Sequence, residues 1–203
     1  MKPALLLFSV LRHLSKAMAL VAGFATFVLA FLIAFDVLAR RLVGFSIQGT
    51  DELGGYVLAA VASLGFSYVL FEKGFTRIDI LVQRLPRSVT DLLNVLAYVS
   101  LAFTAVFFAH RSVLAYQDTL LFSSRANSPL QTPMWIPQGV WVTGMVLFAI
   151  CSVLYAIRAI VLLKVDRAAL DAEFGVTRID DEVAEITEAA LGANADKARE
   201  MSK

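Results

Sequence analysis

Few side chains in this sequence are of types that perform chemistry. His13 and His110 are the only histidines and Cys151 the only cysteine among 203 residues. Haem ligation, zinc binding and proton relays draw heavily on such residues, so this scarcity argues against all three. Cys151 stands alone in an apolar run, where it can form no intrachain disulfide and no thiolate-rich metal site, and it reads as a small packing residue. What remains are acids and bases at particular spacings. Asp36 and Arg40 are four apart, which on a continuing helix places them on one face as an ion pair. Two readings stay open for that pair: interface chemistry at a membrane boundary, or a contact that docks a neighbouring subunit. Thr50, Asp51 and Glu52 follow Gly49 and open an apolar stretch. Thr50 or Asp51 is expected to cap a helix there by accepting its first amide hydrogens, with Glu52 complementing the helix dipole. Capping leaves Tyr56 unexplained. No catalytic residue, cofactor or metal ligand set emerges.

The elements that position these residues are set by composition. Hydrophobic residues make up 59% of the chain and the mean hydropathy is +0.73, well above a soluble domain of this length. A hydrocarbon core of about 30 Å needs roughly 20 apolar residues in helical form. Four stretches qualify, at about 17–35, 53–71, 92–109 and 139–163, the last interrupted only by Arg158 near its end. Backbone groups in lipid must be satisfied within their own segment, so the expected fold is an all-α, four-transmembrane-helix bundle. The first stretch exceeds the length of a signal-peptide core and no small-x-small site follows it, which makes it an uncleaved anchor. Gly23, Gly54, Gly55, Gly65 and Gly144 offer close-approach surfaces, either within the chain or towards another.

Charge gives the orientation. Residues 1–165 carry 13 Lys/Arg against 7 Asp/Glu, while residues 166–203 carry 5 against 10. A basic membrane domain is thus joined to an acidic tail. In the flanks of the spans, ten Lys/Arg fall on the side of both termini and four on the other. The positive-inside rule then predicts both termini cytoplasmic, with 166–203 a cytoplasmic tail.

The cytoplasmic loop 72–88 is the most patterned polar segment. Gly74 permits a turn, Arg77 and Asp79 bracket Ile78, and the ILVQRL run is expected as a short amphipathic connector ended by Pro86. On the outer face, the third span is expected to continue as a helix past His110. Pro129, Pro133 and Pro137 should exclude a regular helix over the following stretch and leave an ordered hairpin. Trp135 and Trp141 suit an aromatic belt at re-entry.

Taken in order, Asp36 and Arg40, Glu52, Gly65, GFTRIDIL at 74–81, Leu85 and Pro86, then Pro133 and Trp135 resemble the DctQ-type small membrane subunit of TRAP (tripartite ATP-independent periplasmic) transporters, over about residues 15–163. The family often has a histidine where Thr76 stands here. The resemblance implies a non-catalytic inner-membrane subunit of a sodium-coupled, binding-protein-dependent secondary transporter for organic acids. It also implies two protein partners, a large DctM-type membrane subunit that carries the substrate and sodium sites and a periplasmic solute-binding protein. Membrane lipid is the further expected partner and nucleic acid is not. Two alternatives differ in class. A subunit of a membrane redox complex would need convergent haem ligands, and His13 and His110 stand at opposite ends of the spans. A self-sufficient homo-oligomeric transporter would need polar mid-membrane positions, for which Thr26, Ser63, Ser67, Ser100, Thr104 and Ser152 are the available residues.

Overall fold

A computed structural model describes residues 2–75, 86–165, 167–174 and 187. Among the described residues, five helices occur in order: α1 (Lys2–Leu42), α2 (Thr50–Phe71), α3 (Arg87–Leu121), α4 (Trp135–Val165) and α5 (Arg167–Phe174). The first four are long and apolar enough to cross a membrane, and no strand occurs among the described residues. This is an all-α membrane protein of four spanning helices. At 1.5 Å per residue, α2 is about 33 Å long and matches the hydrocarbon, whereas α1 at about 61 Å and α3 at about 52 Å extend well beyond it. The amphipathic connector predicted around Arg77 and Asp79 lies outside the described residues, as does most of the acidic tail.

The chain divides into two compact units. One comprises Met1–Thr76 and Ala97–Arg158, the other Arg77–Leu96 and Ala159–Lys203. In the first unit, α4 is the most enclosed helix and α1 the least: 39% of the most apolar stretch of α4 is buried against 6% for α1. Tyr155 on α4 gathers the other three helices at one end. Its ring meets Phe8 of α1 and Phe71 of α2 edge-on, at 5.5 Å each, and stacks on Tyr98 of α3 at 6.0 Å. Farther along, Phe148 packs against Phe66 at 5.3 Å. Cys151 is buried, as expected of a packing residue.

Only one of the five span glycines makes a close helix contact. A Cβ on Gly144 would stand 2.5 Å from the backbone carbon of Ser63, so α2 and α4 approach at that point as only glycine allows. Gly23, Gly54, Gly55 and Gly65 have no neighbour within 4 Å of such a Cβ, and the expectation of close approach at these four is not met within the chain.

The span hydroxyls divide into two sets. Thr26, Ser63, Ser100 and Thr104 donate to carbonyls three or four residues back on their own helices, at 2.9–3.3 Å. Ser67 and Ser152 are fully enclosed at 0% exposure. An open water path would leave its wall residues accessible, so these two line none.

Helix ends depart from expectation in two places. The residue of positive φ that ends α2 is Lys73 (φ 54°), not Gly74. Gly74 N–H donates to Val69 O and Lys73 N–H to Leu70 O, the paired bonds of a Schellman stop. Pro86 stands directly before α3, and its carbonyl accepts from Val89 and Thr90; the connector it was expected to end lies outside the described residues. Pro137 lies inside the first turn of α4, where a missing N–H leaves no helical bond unmade. The expected exclusion of helix therefore stops at Met134.

In the second unit, α5 carries Leu170 and Phe174, both essentially fully buried. The chain beyond α4 thus keeps an ordered helix of about two turns with two buried apolar residues, which composition alone did not indicate.

Gly144→Ala should lower the thermal midpoint of the detergent-purified protein, a loss of about 1–3 kcal/mol from forced overpacking. Gly65→Ala, with open space at its Cβ, should leave the midpoint unchanged or raise it. Equal behaviour of the two variants would show that the α2–α4 contact is looser than described.

Candidate functional site

The polar residues singled out by spacing converge at one end of the first unit, where α1 leaves the membrane, α2 enters it and the hairpin between α3 and α4 folds over both. α1 continues through Asp36 and Arg40 to Leu42, and Gly44 at φ 73° then turns the chain. The i,i+4 pair forms within the chain: Arg40 Nη2 donates to Asp36 Oδ2 at 2.5 Å. The two partners differ in environment, with the Asp36 side chain 3% exposed and that of Arg40 64% exposed. The other carboxylate oxygen of Asp36 accepts from the Ile47 N–H at 2.6 Å and from Ser46 Oγ at 3.1 Å. A carboxylate on the last turns of α1 thereby ties down the loop leading into α2. Asp36 is internal, and Arg40 presents the remaining donors of its guanidinium outward.

The start of α2 is built differently from the sequence expectation. Neither Thr50 nor Asp51 caps it. The N-cap is Gly49, at φ 88° and without a side-chain cap bond, and Thr50 Oγ1 instead donates backward to Ile47 O at 3.1 Å. Gly49 is required twice over. Its φ lies in the left-handed region, and the Leu130 side chain of the α3–α4 hairpin occupies the place a Cβ would take. Glu52 is the second organising carboxylate. Its Oε1 accepts from Tyr56 OH at 2.5 Å, which accounts for the tyrosine one turn below, and its Oε2 accepts from Ser128 Oγ. Tyr56 OH also meets Met134 Sδ at 3.6 Å.

The hairpin that Glu52 holds is itself ordered. α3 ends in a second Schellman stop at Ser123 (φ 47°), with Ser124 N–H on Thr119 O. Arg125 and Pro133 form an antiparallel bridge flanked by Ala126 N–H to Thr132 O and Met134 N–H to Ser124 O. Thr119 Oγ1 then donates to Gln138 Oε1 at 2.6 Å, fastening the end of α3 to the start of α4. Trp135 begins α4 and, with Leu64, Tyr116 and Ile136, lines an apolar groove of about 500 Å³.

Of the residues marked by the sequence, Asp36, Arg40, Glu52, Pro133 and Trp135 therefore belong to this end. Gly65 lies within α2 with open space beside it, and Gly74 and Pro86 belong to the connection between α2 and α3. Arg77 and Asp79 lie outside the described residues. Sequence reasoning missed Ser46, Tyr56, Ser128 and Leu130. Only Tyr56, four residues after Glu52, carried a readable signal; the other contacts join segments distant in sequence. Among the described residues no cluster of His, Cys, Asp and Glu could hold a metal ion.

The profile of the family described as "Tripartite ATP-independent periplasmic transporters, DctQ component" matches residues 29–162. The chain belongs to the DctQ family. A comparison with curated proteins finds no match. Membership makes the chain the small component of a TRAP transporter, not an enzyme, and a multi-pass protein of the inner membrane. DctQ components work with a DctM-type membrane subunit and a solute-binding protein, and nothing in the family supports the redox or self-sufficient alternatives. The matched segment starts within α1, ahead of Asp36, takes in the Glu52 seam and the hairpin, and ends near the end of α4.

Asp36→Ala should release the α1–α2 loop, so that peptides covering residues 43–49 exchange backbone hydrogens severalfold faster. Asp36→Asn keeps an acceptor for the Ile47 amide and should retain much of that protection despite losing the ion pair. Equal exchange in wild type and Asp36→Ala would show that the carboxylate does not hold the loop.

Proposed function

We propose that this DctQ component acts as a non-catalytic scaffold that holds the large transport subunit, within a transporter that couples organic-acid uptake to sodium. The observation that carries this reading is the outward face of α1. Leu20, Phe24, Phe27, Phe31, Phe35 and Leu38 are all more than half exposed, and no charge occurs between Lys16 and Asp36. A helix with so little of its surface covered by its own chain offers it to lipid or to another membrane helix.

The interior supports the same reading. Ion pathways and proton relays place ionisable residues inside the bundle, whereas here the spans are uncharged apart from Arg158 and four of the six hydroxyls bond to their own helices. The sodium and solute sites then belong to the large subunit. The Lys/Arg distribution favours both termini in the cytoplasm. In that orientation the Asp36–Glu52 seam and the outer hairpin face the periplasm, where a solute-binding protein would arrive.

Tagged chain solubilised from its native membrane should co-purify with a larger polytopic subunit, and Phe27→Arg combined with Phe31→Arg should reduce that recovery at least tenfold. Isolation of a lone monomer that moves solute in liposomes would reject the scaffold. Phosphatase fused to either terminus should be inactive and a fluorescent-protein fusion bright; the opposite pattern would invert the orientation.

A further inference from the structure

Along α1 the covered side chains keep a repeat of seven. Positions 8, 11, 15, 18, 22, 25, 29, 32, 36 and 39 are all buried or half-buried, and between them only Ala19 joins them. Spacings that alternate three and four wind a helix into a left-handed coil against its neighbours. α1 therefore lies against its own chain in coiled-coil fashion over most of its length.

A second stripe of the same period runs along another side of the helix, and its side chains are uncovered. Positions 10, 14, 17, 21, 24, 28, 31, 35, 38 and 42 are all apolar and all exposed, Val10 at 63% and Leu42 at 78%. The sector that remains carries the basic side chains: Arg12, His13 and Lys16 towards one end, Arg40 and Arg41 at the other.

Depth separates the two uncovered sectors. Lys16 and Arg40 are 24 residues apart, about 36 Å at 1.5 Å per residue, so their sector is apolar across the hydrocarbon and cationic in both headgroup layers. That is the pattern of a helix side fitted to lipid. The stripe is not so fitted. From Val10 to Leu42 it runs 32 residues, about 48 Å, against roughly 30 Å of hydrocarbon and about 40–45 Å with both headgroup layers. Its two ends therefore stand about 9 Å beyond the hydrocarbon, where lipid would leave Val10 and Leu42 among headgroups and water. A protein helix that passes through both layers covers them. Arg41 adjoins Leu42 at the flank of the stripe where coiled-coil partners exchange charge. It is exposed and has no ion pair among the described residues.

We propose that one long spanning helix of the large DctM-type subunit fills this stripe from Val10 to Leu42, wound with α1 as a left-handed pair and facing Arg41 with an acidic side chain. The inference rests on the scaffold reading and specifies which side of α1 is occupied, over what length and by what.

Site-specific photocrosslinking of the full chain in its native membrane tests it, with p-benzoylphenylalanine placed at one position at a time. Probes at Phe24, Phe31 and Phe35 within the stripe, and at Val10 and Leu42 at its ends, should form an adduct with a larger polytopic protein. Probes at Ala30, Ile33 and Val37 in the sector fitted to lipid should give at least fivefold less. Arg41→Glu should lower the adduct at Leu42 severalfold. Equal protein adducts from both sectors, no adduct at Val10 and Leu42, an unchanged Leu42 yield in Arg41→Glu, or adducts that join two copies of this chain would each overturn the proposal. If the large subunit still co-purifies in those cases, the scaffold reading stands without this interface; if it does not, both fall.

Discussion

Hydrocarbon offers a polar group no hydrogen-bond partner, and the arrangement of this chain follows from that constraint. Backbone groups in the spans are satisfied inside helices because nothing else at that depth can satisfy them. Charged side chains are confined to the ends of the helices, where water, headgroups or another charge is within reach. The length of α1 makes the two levels concrete: Arg12 and Asp36 lie on one helix, about 36 Å apart, and each anchors a separate polar assembly.

The two assemblies differ in what they tie together. At Asp36 and Glu52 the carboxylates point inward and accept from groups of the same chain: a loop amide, a loop hydroxyl, a tyrosine and a hairpin serine. These are local fasteners that close the loop between α1 and α2 and fold the hairpin onto the start of α2. At Arg12, Glu72 and Arg158 the groups are more open and sit over an aromatic cluster centred on Tyr155. One end is therefore closed by its own hydrogen bonds, and the other is held by the Arg12–Glu72 ion pair and ring contacts.

Between these ends the helices present mostly apolar surface, and little of it is covered on α1. A soluble protein with that exposure would aggregate; in a membrane the same surface is neutral towards lipid and available to another helix. Membership of the DctQ family places the chain among the small components of three-part transporters, which suits a chain with few interior polar groups and much outward face. Interior contacts are economical: a single glycine, Gly144, brings α2 and α4 to backbone distance, and one tyrosine links all four spanning helices.

The sequence by itself determined the number of spanning helices, their approximate extent and the places where charge is allowed, because hydropathy over 20 residues is a local property that tertiary contacts cannot reverse in lipid. It also placed Asp36 and Arg40 on one face of a continuing helix, while the choice between pairing with each other and docking a neighbour fell to the structure, which joins them at 2.5 Å. Tertiary structure decided what spacing cannot encode. Glu52 bonds Ser128, 76 residues away, and no pattern around either residue announces it. Gly49, not Thr50 or Asp51, became the helix cap, and Leu130 of the hairpin occupies the place its Cβ would take. Gly144, but not Gly65, became the close-approach position because helix rotation selects which glycine faces a neighbour. The buried Leu170 and Phe174 of α5 were hidden in the same way, as two apolar residues one turn apart in a tail whose average is acidic. Local chemistry is written in the order of residues, whereas the pairing of distant segments is settled only when the helices pack.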